Sequence, residues 1–214
     1  MSIIWPCPAD VDAYVQQGAE VEVAGITCPG CSGRVQRWHG YQRHLRGVRD
    51  RLIWIPRVRC SSCGVTHALL PWFVLPWRWD EIEVIGRAVE LAAAGQGHRR
   101  IAAGLGRSET TVRGWLRRVR QMAGELSREL LARATSWGWS DWETPTTGLP
   151  RLWAAVLAMA RQWHRRRGQA GRWSVANLIT GGRLLATNTI APLGTRKTSG
   201  WMATKSNLEV PDDS

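Results

Sequence analysis

Apolar residues recur along this chain with two different periods. From Glu20 to Pro76 they come in short runs, VEVAGIT, RVQRWHG, LIWIPRVR and THALLPWFVLP, rich in β-branched and aromatic residues and separated by Gly and Pro; such runs read as strands. From Trp77 the spacing turns helical. Trp77 to Ala94 aligns Ile82, Ile85, Val89 and Ala92, places Asp80 and Glu81 in the first turn, and meets Gly95 and Gly97 at its end. His98 to Val119, HRRIAAGLGRSETTVRGWLRRV, reads as helix, tight turn, helix. Ala102 is small where the second helix crosses, and Gly106 supplies the left-handed turn.

Within the second of these helices, Val112, Trp115, Leu116 and Val119 form one apolar stripe facing Ile101, Ala102 and Leu105. Ser108 caps its start and Glu109 sits at the positive end of the helix dipole. The outward face keeps Ser108, Glu109, Thr110, Arg113, Gly114, Arg117 and Arg118, the set that reaches a major groove in a helix-turn-helix, with Arg99 and Arg100 placed to meet phosphate. The alternative is a plain helical hairpin with a solvated arginine face. Gly104 and Gly114 run against the helical reading, since each costs about 1 kcal/mol relative to alanine; a close-lying DNA backbone accounts for Gly114, and nothing in the sequence accounts for Gly104.

Elsewhere the pattern is less regular. A short helix is expected from near Ala9 to Gly18. Val119 to Ala134 continues helically, as an extension of the recognition helix or as a separate one. The stretch TSWGWSDWETPTTG reads as a linker or partner-facing loop. Leu149 to Arg167 is an amphipathic helix, Gly171 to Ile179 a further one closed by Gly181 and Gly182, and the chain from Ala186 onward is expected to be disordered. Trp72, Trp77 and Trp79 are expected to cement the joint between the strand region and the helices, with stacking on bases as the alternative.

Charge sharpens the reading through its placement. The net charge of +12 is carried almost wholly by arginine, which a GC-rich coding sequence alone can produce. The clusters say more: eight arginines against Asp50 alone from Arg34 to Cys60, seven against Glu109 from His98 to Arg120, and five without an acid from Arg161 to Arg172. Such clusters suit a phosphate backbone. No apolar run approaches the ~20 residues of a membrane span, and the first residues lack a signal-peptide pattern, so no membrane partner and a cytoplasmic, nucleoid-associated location are expected.

Two cysteine pairs carry the candidate chemistry. Cys28-Pro-Gly-Cys31 and Cys60-Ser-Ser-Cys63 are CxxC turns with 28 residues between them, each able to aim two thiolates at one cation. Together they make a Cys₄ site for one structural Zn²⁺, with no open position for a catalytic water. The long gap predicts a hairpin, VQRWHGYQRHLRGVRDRLIWIPRV, between the pairs. A redox CxxC or two disulfides are the competing readings, and both pairs lying between strands disfavours the first. His39, His44 and His67 are expected at the surface or on phosphate, with a ligand role left open for one of them. Cys7 is expected to be a free thiol, a spare metal contact being the other option.

The run RVRCSSCGVTHALLPWFVLP, a helix, then IAAGLGRSETTVRGWLRR, and later GGRLLA, resembles a group of uncharacterised bacterial proteins associated with mobile elements. The part from Cys7 to Arg120 is also similar to the N-terminal zinc-ribbon and helix-turn-helix portion of insertion-sequence transposases. The resemblance implies DNA binding with Cys28, Cys31, Cys60 and Cys63 as zinc ligands. It does not extend to a catalytic domain, which needs three separated carboxylates holding Mg²⁺; after Arg120 the acids are only Glu125, Glu129, Asp141, Glu143, Glu209, Asp212 and Asp213.

The expectation is an α+β, mostly α chain. An N-terminal segment (1–20) precedes a small β zinc ribbon (21–76), a three-helix helix-turn-helix unit (77–120), a helical C-terminal region (121–185) and a disordered tail (186–214). The expected function is sequence-specific binding of double-stranded DNA as a regulator or accessory factor of a mobile element, and not an enzyme. A transposase or other mobile-element protein is the expected protein partner, and a homodimer is left open. Two alternatives stand beside it: a truncated or split transposase subunit whose catalytic half lies on another chain, and a zinc-ribbon module that binds protein.

Overall fold

The computed structural model describes residues 2–7, 10–140, 145 and 147–185. It is α+β and mostly helical: one four-stranded sheet followed by a helical body. The expected tail from Ala186 lies outside the described residues.

The sheet runs in the order β1-β4-β3-β2. β2 (Val35–Arg46) and β3 (Asp50–Cys60) form the hairpin expected between the cysteine pairs, paired antiparallel from Val35–Cys60 to Arg46–Asp50 with a bulge between Arg37 and His39. β4 (Thr66–Pro71) adds antiparallel to β3. β1 (Ser2–Trp5), which the sequence did not announce, pairs parallel with β4, Ser2 opposite Ala68. The stretch VEVAGIT is not a strand beyond one bridge from Thr27 to Arg34. Its apolar residues find burial without a ladder: Val21 joins the main core, Val23 packs on Ile3, Val58 and Leu69, and Ile26 touches both clusters.

After α1 (Val11–Gln17), whose N-cap Asp10 accepts from the Ala13 amide, the helices are α2 (Ile82–Ala93), α3 (His98–Leu105), α4 (Glu109–Ser136), α5 (Gly148–Arg167) and α6 (Arg172–Ile179). α2 starts five residues later than the periodicity suggested, because Trp77–Glu81 is used to close the edge of the sheet. The Arg46 amide donates to the Trp79 carbonyl and the Glu81 amide to the Arg46 carbonyl. Asp80 is therefore not in a helical first turn but buried at the joint. α4 runs unbroken for 28 residues, so the second helix of the helix-turn-helix stretch extends into the C-terminal region, and Thr135 and Ser136 belong to it rather than to a linker.

One apolar cluster extends from Ile4 and Tyr14 through the sheet to Ala134, Trp163 and Leu185. Two tight fits lock the helical body. The Trp173 ring lies where a Cβ on Gly86 would stand, 2.1 Å away, while its Nε1 donates to Glu90. Asn177, fully buried, donates to the carbonyls of Trp72 and Val74 and so ties α6 to the end of the sheet.

Candidate metal centre and nucleic-acid interface

The two CxxC turns share one backbone design. In each, the amide after the second cysteine donates to the carbonyl of the first: Ser32 to Cys28 at 2.8 Å and Gly64 to Cys60 at 3.1 Å. In each, the amide of the first cysteine donates five residues ahead, Cys28 to Gly33 and Cys60 to Val65, both at 2.9 Å. The residue at the bend takes a left-handed conformation, φ 57° at Ser32 and 73° at Gly64, where glycine is unstrained and serine tolerable at some cost. The Ser61 amide donates to the Arg34 carbonyl and joins the turns. They sit so close that a Cβ on Gly33 would lie 2.4 Å from the Ser62 hydroxyl.

This brings Cys28, Cys31, Cys60 and Cys63 together with all four sulfurs within 4.8 Å of one another. Sulfur separations are 3.7 Å for Cys28–Cys63 and 3.4 Å for Cys31–Cys60. A tetrahedral ion with metal–sulfur bonds of about 2.3 Å has edges of about 3.8 Å, so the set fits a metal ion. None of the four is in a disulfide. Like charges so crowded cannot all form unaided, and the thiols divide. Cys60 falls to about 6, chiefly because the Cys63 amide, and then that of Ser62, bonds its sulfur. Cys31, though the Gly33 amide favours its thiolate, is raised to about 12 by the sulfurs of Cys60 and Cys63. A dication resolves that conflict by making four thiolates mutually compatible.

His67 corrects the surface reading of the three histidines. On β4 it is buried, with Nε2 3.5 Å from the Cys28 sulfur, and burial lowers its pKa. Its Nδ1 has no partner. A bare ring nitrogen tolerates that better than an orphaned N–H, so the proton belongs on Nε2, donating to sulfur. His39 and His44 are exposed, as expected. Cys7 is buried in the core and apart from the four.

The second candidate surface is on α3 and α4. Gly106 ends α3 with φ 61°, and Ser108 caps α4 by accepting from the Thr111 amide at 3.2 Å. Val112, Trp115, Leu116 and Val119 are buried with Ile101 and Ala102, and Leu105 is partly buried against them. Ser108, Glu109, Thr110, Arg113 and Arg117 are exposed, Gly114 and Arg118 partly so. Arg99 and Arg100 are exposed at the start of α3, Arg99 lying 3.4 Å from Glu109. No neighbour accounts for Gly104, where an added Cβ would meet nothing within 4 Å.

Sequence reasoning passed over Arg107, the residue that fixes this unit to the sheet. Its Nε donates to the buried Asp80 at 2.7 Å, whose other oxygen accepts from Arg46 at 2.8 Å. Its Nη2 reaches the carbonyls of Arg46 and Gly47 at the hairpin tip. The tip and the start of α4 are thereby held side by side. The Asp-x₂₆-Arg spacing of Asp80 and Arg107 carries no local signal that could have revealed this.

The tryptophans divide otherwise than expected. Trp72 packs inside against Trp163, but Trp77 is 82% and Trp79 61% exposed; neither is buried as cement. The joint is made by backbone hydrogen bonds and by Asp80 instead, which frees the rings. Among the described residues no helix is long and apolar enough to cross a membrane. No curated protein and no solved structure matches the chain. Residues 28–115, from the first cysteine of the metal centre to the buried Trp115 of α4, match the family described as a domain of unknown function (DUF6431).

Proposed function

We propose that this chain binds double-stranded DNA in a sequence-dependent way, with α4 lying in the major groove and one structural Zn²⁺ held by Cys28, Cys31, Cys60 and Cys63. The observation that supports it most is the division of α4: Val112, Trp115, Leu116 and Val119 buried, Arg113 and Arg117 exposed one turn apart beside a serine-capped start. Four sulfur ligands favour Zn²⁺ over harder ions. They leave no place for a catalytic water, so the metal's role is to hold the hairpin whose tip abuts α4. A regulator or accessory factor of a mobile element is the biological setting we propose, on the resemblance of the sequence. A transposase of the same element and a second copy of the chain are the protein partners it brings.

The test is selection of bound sequences from a random DNA pool, followed by alanine variants. Each of Arg113→Ala and Arg117→Ala is expected to cost about 1–3 kcal/mol and to relax preference at one base position. Arg100→Ala is expected to weaken all sequences alike and to lower the salt dependence by about one unit of slope. Unchanged affinity and sequence preference in folded Arg113→Ala and Arg117→Ala proteins would remove α4 as the reader.

A further inference from the structure

Trp77, Arg78 and Trp79 form an exposed bridge between the sheet and α2 that the proposed groove-binding helix does not use. Both rings stand largely in water. Trp77 has φ 59°, a conformation that is an outlier for a bulky side chain and marks a place where function outweighs local comfort. The bridge is nonetheless firmly held. The Arg43 guanidinium donates to the carbonyls of Leu75 and Arg78, and the Trp79 carbonyl accepts from the Arg46 amide at 2.6 Å. Trp79 lies parallel to His44, ring centroids 6.0 Å apart and planes 11° apart, which fixes the indole with much of its surface still open.

Charge around the bridge identifies what fits it. Arg78 is partly buried, and its Nε and Nη2, enclosed beneath the surface, find no acceptor among the described residues, so its charge is left uncompensated there. Arg118, on the outward side of α4, is close enough to act on it electrostatically. Positive charge that the protein itself leaves uncompensated, beside a second arginine and flanked by two open indoles, matches a nucleotide strand: phosphate drawn toward the arginines, bases on the rings. A peptide partner would be expected to bring carboxylates to the arginines but has no general use for two open aromatic rings.

We propose that Trp77 and Trp79 stack unpaired bases of a DNA strand whose phosphate is drawn by the charge of Arg78 and Arg118, so that the protein recognises a junction between duplex and single strand. This rests on the duplex reading through α4, because the bridge stands next to that helix.

The experiment uses the full-length, zinc-loaded chain and three DNA probes: a blunt duplex carrying the selected site, the same duplex with a single-stranded extension, and the extension alone. Fluorescence anisotropy is expected to show the extension tightening binding about tenfold per stacked base. In a Trp77→Ala, Trp79→Ala double variant that gain is lost while blunt-duplex affinity is unchanged; Trp79→Phe, which keeps a ring, retains part of it. No gain from the extension, or a gain that survives the double variant, overturns the proposal. So does a wild-type dimer that the double variant dissociates in sedimentation, which would make the bridge a contact between copies. Failure of the duplex reading is separate: Arg113→Ala and Arg117→Ala then leave blunt-duplex binding unchanged, whatever the extension does.

Discussion

Gly104 and Gly114 look alike in the sequence, each a glycine inside a helix, yet their surroundings differ. Around Gly104 an added methyl meets nothing, and around Gly114 it meets only the flexible end of Arg118 at 3.4 Å. Gly104→Ala is therefore expected to stabilise the fold by about 0.5–1 kcal/mol in denaturant unfolding without touching DNA affinity. Gly114→Ala is expected to stabilise by a similar amount and to weaken duplex binding, if DNA backbone approaches α4 there; stability and affinity moving together would show that nothing does. At the metal centre, Cys28→Ser or Cys60→Ser is expected to release zinc and unfold the hairpin region, since metal-binding energy is folding energy in so small a unit. Cys7→Ser is expected to leave zinc content unchanged, by elemental analysis of the purified chain. The four cysteines were legible because two-residue spacing is itself the geometry of the turn. His67 was not, because what makes it part of the centre is the β3–β4 register that sets His67 opposite Val58, and no local pattern carries that.

Among the elements, α3, the turn and α4 followed the sequence closely, because cap, turn glycine and apolar stripe are all encoded within a few residues. The start of α2 did not follow. Periodicity saw Trp77 to Glu81 as helical, and the hydrogen bonds of Arg46 with Trp79 and Glu81 outweighed it. β1 escaped for the related reason that four residues hold too little pattern to name their partner. The joint between hairpin and helices gives a prediction of its own. Arg107→Ala leaves buried Asp80 with Arg46 alone and unties the tip carbonyls, so it is expected to cost about 1–3 kcal/mol in thermal or denaturant unfolding. It is also expected to weaken DNA binding without changing the preferred sequence, since Arg107 places α4 rather than reading with it. Within the helical body, Gly86→Ala drives a methyl into Trp173 and is expected to destabilise by about 1–3 kcal/mol.

At the scale of the whole molecule, the helical C-terminal region is bound to α2 through polar groups set between them. Glu83 on α2 accepts from the amide and the hydroxyl of Ser174 at the start of α6. Burial raises its pKa, although those two bonds lower it in part. A carboxyl whose folded value is raised contributes most when protonated, and that contribution is lost as pH climbs from the ordinary carboxylate range through the folded value. Glu83→Gln is accordingly expected to gain on the wild type as pH rises from about 4.5 toward neutrality, with the stability difference read at each pH from urea unfolding. An unvarying difference would mean that Glu83 titrates as it does in the unfolded chain. The parallel pairing of β1 with β4 has a consequence for synthesis. Ser2 waits for Ala68, 66 positions later, and at ~5–20 residues per second Ile3, Ile4 and Trp5 leave the ribosome roughly 3–13 s before their partner strand exists. For those seconds the nascent chain carries an unpaired apolar segment, and a holding chaperone that recognises short apolar stretches would find a target there.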